Sequence, residues 1–468
     1  MEATNLRVAR EDLLLFLNAC YACTGQREHY GDGYGQRVSL AFLHEYILGN
    51  YRRLYARVLA CGVNHANQAL IVQNLLATGA KLDPADRAEE NALLTRALAT
   101  LPTHRAMHVL EALARRGVNN RRTRALTAAY LAQERELRAI KYRRAYARAA
   151  RHAHVALGGE LPTFFARGWK TLRFETPLLE TFRAAHFAEK AIYALPFTVA
   201  EGLAAKHGVA RATFLTNIAP RMTHHERMRV FEAARAEGVT LRVDWTKQPL
   251  TRLCSYVLSL SPPERARRRE ELEASLMTAA QRLARRTRSR FGAVACVLDA
   301  SRSSRGSREK ENRPLAVALA VAYFFRAAAE RATLHWTSAG ATDPLMVRAR
   351  GATDLVTPLL DAYATQPSLI VIVSDGFDND PQGLAGEVCT AYARLVPTTF
   401  VLHLNPVFDH EGLAPKSLSP AVPTLGIREV DDVPTLLAFA RFASGDATMA
   451  ALDAALDARV RAFLEVKS

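Results

Sequence analysis

Residues 293–303 read AVACVLDASRS. The apolar run 293–298 has the length and composition of a buried strand. It stops on Asp299-Ala300-Ser301-Arg302-Ser303, so one carboxylate and two hydroxyls are delivered to a single tight loop. That is half of an oxygen-only cage for a hard divalent cation. A second apolar run, 369–373, ends in Ser374-Asp375-Gly376, and between the two Gly351-Ala352-Thr353-Asp354 opens a predicted helix. The same letters admit a plainer reading, in which Ser301 and Ser303 cap a helix and Asp375 ends a strand.

The surrounding sequence alternates strand and helix. Expected strands are 293–298, 333–338, 345–349, 368–374, 398–404 and about 424–429. Expected helices are 313–331, 354–365, 382–395, 432–443 and 447–465. This alternation calls for a Rossmann-like α/β domain, a parallel sheet with helices on both faces. Ligands of such sheets bind beyond the carboxyl ends of the strands, where Asp299 and Asp375 stand.

Residues 1–290 read differently, as helix after helix: 8–23, 38–61, 67–78, 88–101, 104–116, 123–152 and 177–193. In 104–116, Met107, Leu110, Leu113 and Ala114 fall on one face. Gly62-Val63-Asn64, Gly117-Val118-Asn119, Gly208-Val209 and Gly238-Val239 each follow a helical stretch. Glycine there supplies the left-handed residue that ends a helix. The recurrence suggests stacked helical pairs, an all-α, HEAT-like helical-repeat solenoid. A charged helix over 264–290, with Leu272, Leu276, Ala280 and Leu283 inward, leads into the first strand. The chain is therefore expected to be multidomain, with a helical-repeat domain over 1–288 and an α/β domain over 289–468.

At 468 residues, two or three domains are expected. No apolar stretch reaches the roughly 18–20 residues needed to span a bilayer, and residues 1–12 lack the layout of a secretory signal. The six cysteines are scattered. Cys20 and Cys23 have no second pair to complete a zinc site, so buried thiols and a cytoplasmic location are expected. Charge is uneven. Residues 1–290 carry 46 Lys and Arg against 26 Asp and Glu, and residues 291–468 carry 16 against 20. The basic excess belongs to the helical part and favours a polyanionic partner, nucleic acid above all.

Within that part, Lys141, Arg144, Arg148 and Arg151 are spaced to line one helix face, as a phosphate backbone requires. Tyr142 and Tyr146 lie beside them and could stack bases. The competing reading is a solvated face with the tyrosines tucked into the neighbouring repeat. Arg115, Arg116, Arg121, Arg122 and Arg124 surround the Gly117 turn, either as a basic track or as turn solvation. Arg265, Arg267, Arg268 and Arg269 alternate with glutamates and read as intrahelical ion pairs. Enzyme readings find little. There is no phosphate loop, 31–35 reads as a glycine-rich loop between helices, and neither His224-His225 nor His44-Glu45 has zinc-helix spacing. No general base is placed beside the oxygen cage.

The Asp299–Ser303, Gly351–Asp354 and Ser374–Gly376 pieces, taken in order, resemble the metal-ion-dependent adhesion site of a von Willebrand factor A domain. The resemblance implies that Asp299, Ser301, Ser303, Thr353 and Asp375 hold Mg²⁺, or another divalent cation, directly or through water. Helical repeats ahead of such a domain resemble the Ro autoantigen family, the TROVE-domain proteins, and Lys141-Tyr142-Arg143-Arg144 is similar to the family's basic Lys-Tyr helix. His152 and His154 are the nearest candidates for its histidine-containing segment. The resemblance implies a monomeric ring of helical repeats that binds small structured Y-like RNA and single-stranded 3′ ends. It also implies binding rather than turnover, and work with an exoribonuclease in RNA quality control. Arg302 and Arg305 crowd the metal loop, where small residues are usual in the family, and together with the flanking Arg308 they suggest that an anion approaches. The alternative is a metal-dependent protein–protein adaptor without RNA.

Overall fold

The computed structural model describes residues 2–23, 33–287, 290–337, 343–409, 414–443 and 448–465. Gly31, Asp32, Arg288, Ser338 and Ala447, which fall inside or at the ends of predicted elements, lie outside the described residues. Among the described residues no helix is long and apolar enough to cross a membrane.

The α/β part builds one parallel sheet from β1 (Phe291–Leu298), β2 (Ala329–Trp336), β3 (Leu369–Val373), β4 (Phe400–Asn405) and β5 (Thr424–Gly426), in the order β2-β1-β3-β4-β5. Every residue of β3 is buried, as expected of a strand covered on both faces. One cover is the helix Arg313–Ala328, apolar all round and buried from Pro314 to Phe325. The other face packs Val297, Ile370 and Ile372 against Leu355, Leu359, Ala385 and Cys389. Leu298 is level with both Val373 and Trp336. The carboxyl ends of β1, β2 and β3 therefore stand side by side at the point where strand order reverses.

Two predicted elements change. Residues 345–349 form no strand. Pro344–Met346 is a 3-10 turn capped by Asp343, and the Leu345 and Val347 carbonyls accept from the buried Arg265 guanidinium at 3.1 and 3.0 Å. Those acceptors are spent, so no ladder forms. The 313–331 helix stops at Ala328, because β2 begins at once and pairs Ala329 with Phe291.

The helices fall into two compact units. The first comprises residues 1–71, 83–93 and 245–467, and the second 72–82 and 94–244. Helix gives way to strand between Thr287 and Phe291. Helices from both ends of the 1–288 segment nevertheless group with the sheet, which the 1–288 and 289–468 division did not anticipate. Asn18, on the helix Glu2–Ala22, explains part of this. Its Nδ2 donates to Thr424 O at 3.2 Å, and its Oδ1 accepts from Gly426 N at 3.0 Å. The amide pairs with β5 as a neighbouring strand would and covers the sheet edge. Arg57, buried, binds Glu89 and Asp457 at 2.7 and 2.9 Å. Leu272, Leu276, Ala280 and Leu283 are buried as read, although the linking helix breaks at Arg268 into Pro262–Arg267 and Arg269–Thr287.

The Gly-Val turns form as their sequence implies. Gly62, Gly117, Gly208 and Gly238 have φ of 79°, 68°, 67° and 73°. Val118, Val209 and Val239 return their N–H to the carbonyls of Leu113, Ala204 and Ala234 at 3.0, 3.1 and 2.8 Å. The asparagines of the two Gly-Val-Asn turns close helix ends. Asn64 donates to Cys20 O and Cys23 O, and Asn119 donates to His152 O. All six cysteines are buried thiols. Gly33 begins a helix, Gly33–Asn50, so 33–35 is not loop.

Candidate metal centre and cationic surface

Three loops meet at the carboxyl end of the sheet. The first follows β1. Asp299 N donates to Val373 O at 2.9 Å, holding the residue across to β3. Its Oδ1 accepts from Ser301 N at 2.7 Å and from Thr337 Oγ1 at 3.3 Å. Thr337, just past β2, also accepts from Ala300 N at 2.8 Å. Ser301 and Ser303 are buried with their hydroxyls 3.1 Å apart. Ser301 precedes a 3-10 turn, Arg302–Arg305, but its side chain makes no cap bond. The plain capping reading therefore fails for that hydroxyl.

The second loop reaches the first through its backbone. Arg302 N donates to Gly351 O at 3.1 Å and Arg350 N to Ala300 O at 2.8 Å. This seats Thr353, which is buried. The helix Val356–Ala364 then starts under Asp354, whose Oδ1 accepts from Val356 N and Thr357 N. The third loop follows β3. Asp375 Oδ1 accepts from Phe377 N at 3.0 Å, and Thr353 O accepts from Asn379 N and Asp380 N. Gly376 has φ of 80°, and a Cβ there would lie 2.4 Å from Lys416 O. Behind the loop, the buried His403 ring donates from Nε2 to Ser374 O at 3.1 Å. Sequence reasoning missed Thr337 and His403. The one signal for the second was a lone polar residue in the apolar strand FVLHLN.

Electrostatics single out Asp299. Its Oδ2 is buried and has no hydrogen-bond partner. Burial first, and then the neighbouring Asp375 carboxylate, raise its pKa to about 7. A buried carboxylate oxygen without a donor is costly, and a cation removes that cost. Among the described residues no trio of His, Cys, Asp and Glu gathers at metal-binding distance. A metal here would need the hydroxyls of Ser301, Ser303 and Thr353 beside the two carboxylates, a donor set that fits a hard cation. Arg302, Arg305 and Arg308 are exposed beside the loop.

In the second unit the predicted stripe is interrupted. The 123–152 stretch forms three helices, Arg121–Ala132, Arg135–Lys141 and Arg143–His152. Tyr142, at φ −123° and ψ 38°, breaks the last two apart. Lys141 is therefore not in line with Arg144, Arg148 and Arg151, which share the final helix and are exposed. Tyr146 is core, not a stacking platform. Its hydroxyl donates to Leu131 O at 2.9 Å and its ring stacks on Phe165 at 5.5 Å. Tyr142 is half-buried. Arg148 and Arg115 share Glu111, at 2.7 and 3.0 Å. Arg116, Arg121 and Arg124 are exposed around the Gly117 turn, and Arg122 is half-buried. His152 bonds Val118 O at 2.9 Å, and His154 Nε2 lies 3.2 Å from Asn119 Nδ2. In the first unit Arg267 and Arg268 pair with Glu264 and Glu271 as read, but Arg265 is buried among carbonyls and Arg269 bonds Asp343.

No family model matches the chain, and no curated protein matches it in sequence. Among solved structures, the crystal structure of the Deinococcus radiodurans Ro (RSR) protein superposes on it with a TM-score of 0.52 at 14% identity. The match covers 94% of this chain and 100% of that chain. At that identity the likeness speaks for architecture: this chain, helices first and parallel sheet after, has the fold of the bacterial Ro protein.

Proposed function

We propose that this chain binds RNA through its second unit, as a non-enzymatic, Ro-like cytoplasmic scaffold. The observation that carries the reading is charge on an exposed surface. Residues 72–82 and 94–244 hold 27 Lys and Arg against 12 Asp and Glu. Arg115, Arg116, Arg121, Arg124, Lys141, Arg144, Arg148 and Arg151 all reach solvent. Such a surface releases counterions on meeting a phosphate backbone. The ligands proposed are small structured, Y-like RNAs and RNAs with single-stranded 3′ ends. An exoribonuclease partner and a role in RNA quality control or processing complete the reading.

The loops at the sheet's carboxyl end would hold Mg²⁺ or another divalent cation through Asp299, Ser301, Ser303, Thr353 and Asp375. Bound there, the ion would supply a fixed positive charge able to attract an external anionic oxygen. Arg302, Arg305 and Arg308 favour an anion beside these loops. The unpartnered Asp299 Oδ2 also favours a second reading, a metal-dependent adaptor for an acidic protein partner.

The test is filter binding of a structured RNA with a free 3′ tail, across a salt series, on nuclease-treated protein. Binding tighter than about 1 µM with a steep salt dependence supports the proposal. A flat salt response, or millimolar affinity, rejects it. Loss of a protein partner on Asp299→Ala with RNA binding intact would assign the two loci separate roles.

A further inference from the structure

Among the described residues few large apolar side chains are exposed, and four of them share one helix. Tyr34, Val38, Phe42 and Tyr46 are 72, 53, 56 and 37% exposed. They recur every fourth residue along Gly33–Asn50 and so form one ridge, about 18 Å long. Arg37, Ala41, Glu45 and Gly49, also exposed, form the ridge beside it. The opposite face, with Leu40, Leu43 and Ile47, is already buried. A helix apolar on both sides is built to be covered on both sides. The outer ridge is also rigid. The Tyr46 hydroxyl donates to Asp12 at 2.9 Å, and its ring stacks on Phe42 at 6.2 Å. Anchors already fixed in place lose little entropy on binding.

We propose that this face packs against the same face of a second copy of the chain, antiparallel, about a two-fold axis at Ala41. The residue order argues for this occupant, because the face is complementary to its own reverse. With the axis at Ala41, Arg37 of each copy meets Glu45 of the other, so two opposite-charge pairs form by symmetry. Neither residue has an ion-pair partner among the described residues. Ala41 meets Ala41, a small side chain that lets the two helices approach. Tyr34 comes level with Leu48, beside Gly49, where a Cβ would find nothing within 4 Å and a ring has room. Val38 and Phe42 interleave between these contacts. The inference is independent of RNA binding, and it departs from the monomer that the family resemblance implies.

The experiment is sedimentation velocity on the nuclease-treated full chain through the micromolar range. The mass should rise with concentration toward twice that of the monomer. Arg37→Glu alone and Glu45→Arg alone each set like charges opposite one another twice, and each should weaken self-association at least tenfold. Mixed in equal amounts, those two variants should associate with each other. The double swap in one chain should restore the dimer. Phe42→Ser should abolish it, and circular dichroism on every variant checks that the exposed substitutions leave the fold intact. A wild-type chain that stays monomeric overturns the proposal. So do single-charge variants that dimerise like wild type, and a mixture that fails to associate.

Discussion

The arginines of the helix Arg143–His152 do not contribute equally, and their inequality can be measured. Among the described residues Arg144 and Arg151 pair with no carboxylate, whereas Arg148 shares Glu111 with Arg115. Each phosphate contact to a single strand contributes about 0.7 to the slope of log K against log salt, which at about 0.1 M salt is worth roughly 1 kcal/mol. Arg144→Ala/Arg151→Ala should therefore lower the slope by about 1.4 and weaken binding roughly 25-fold at that salt. Arg148→Ala should cost less than half as much, since Glu111 already offsets part of its charge. Glu111→Gln frees both Arg115 and Arg148, and it should tighten binding and steepen the slope. Filter binding from about 0.05 to 0.3 M KCl, on variants with wild-type circular dichroism, reads all three. An unchanged slope in the double variant, or weaker binding in Glu111→Gln, would falsify the electrostatic account of this surface.

Three further outcomes follow from the geometry. Mg²⁺ at about 10 mM should raise the Tm of the wild-type chain, by roughly 1.4 kcal/mol of stability if the ion is held at about 1 mM affinity. Asp299→Asn should lose that shift and, in EDTA, melt no lower than wild type, since it removes a carboxylate pushed against Asp375. An equal Mg²⁺ shift in the variant refutes the metal assignment. His44 and His403 are buried, and burial pushes both pKa values down to about 4. Between there and the ordinary value near 6.5 the unfolded chain binds more protons. Their contribution is thus complete above that value and is lost on acidification, at up to about 1.4 kcal/mol per pH unit each. Urea titrations from pH 7 to pH 4.5 should show a shallower loss in His44→Gln than in wild type, and parallel curves would remove the effect. Gly376→Ala meets both a positive φ and the Lys416 carbonyl, whereas Gly117→Ala meets only the positive φ. The second should cost about 1–2 kcal/mol and the first clearly more. Equal urea midpoints would contradict the clash.

The α/β part and the loops at its strand ends were legible because strand ends carry their own signature. An apolar run that stops on Asp-x-Ser-x-Ser or Ser-Asp-Gly locates both the strand and the loop beyond it. The breaks inside 123–152 were not legible, because neither glycine nor proline marks them. Glu134 turns the chain at φ 41° without being glycine. The turn is held by Arg138, whose buried guanidinium bonds Tyr130 O and lies 4.0 Å over the Tyr130 ring. Arg143 likewise donates to Phe164 O and Phe165 O. These two arginines count as surface charge in a sequence and act as structural donors in the fold. Periodicity cannot distinguish the two uses, since it sees spacing and not the carbonyls that a side chain will meet. The same blindness turned Tyr146 from core into a stacking candidate.

Asn18 and Thr424 are 406 positions apart. On the ribosome, the helix that finishes the rim of β5 emerges long before the strand that needs it. It must stay available while everything between is made, and until it returns the newborn strand presents bare peptide groups to any neighbour. Clipping that opening helix would leave such a lesion permanently. The molecules should then clump edge to edge rather than simply melt sooner.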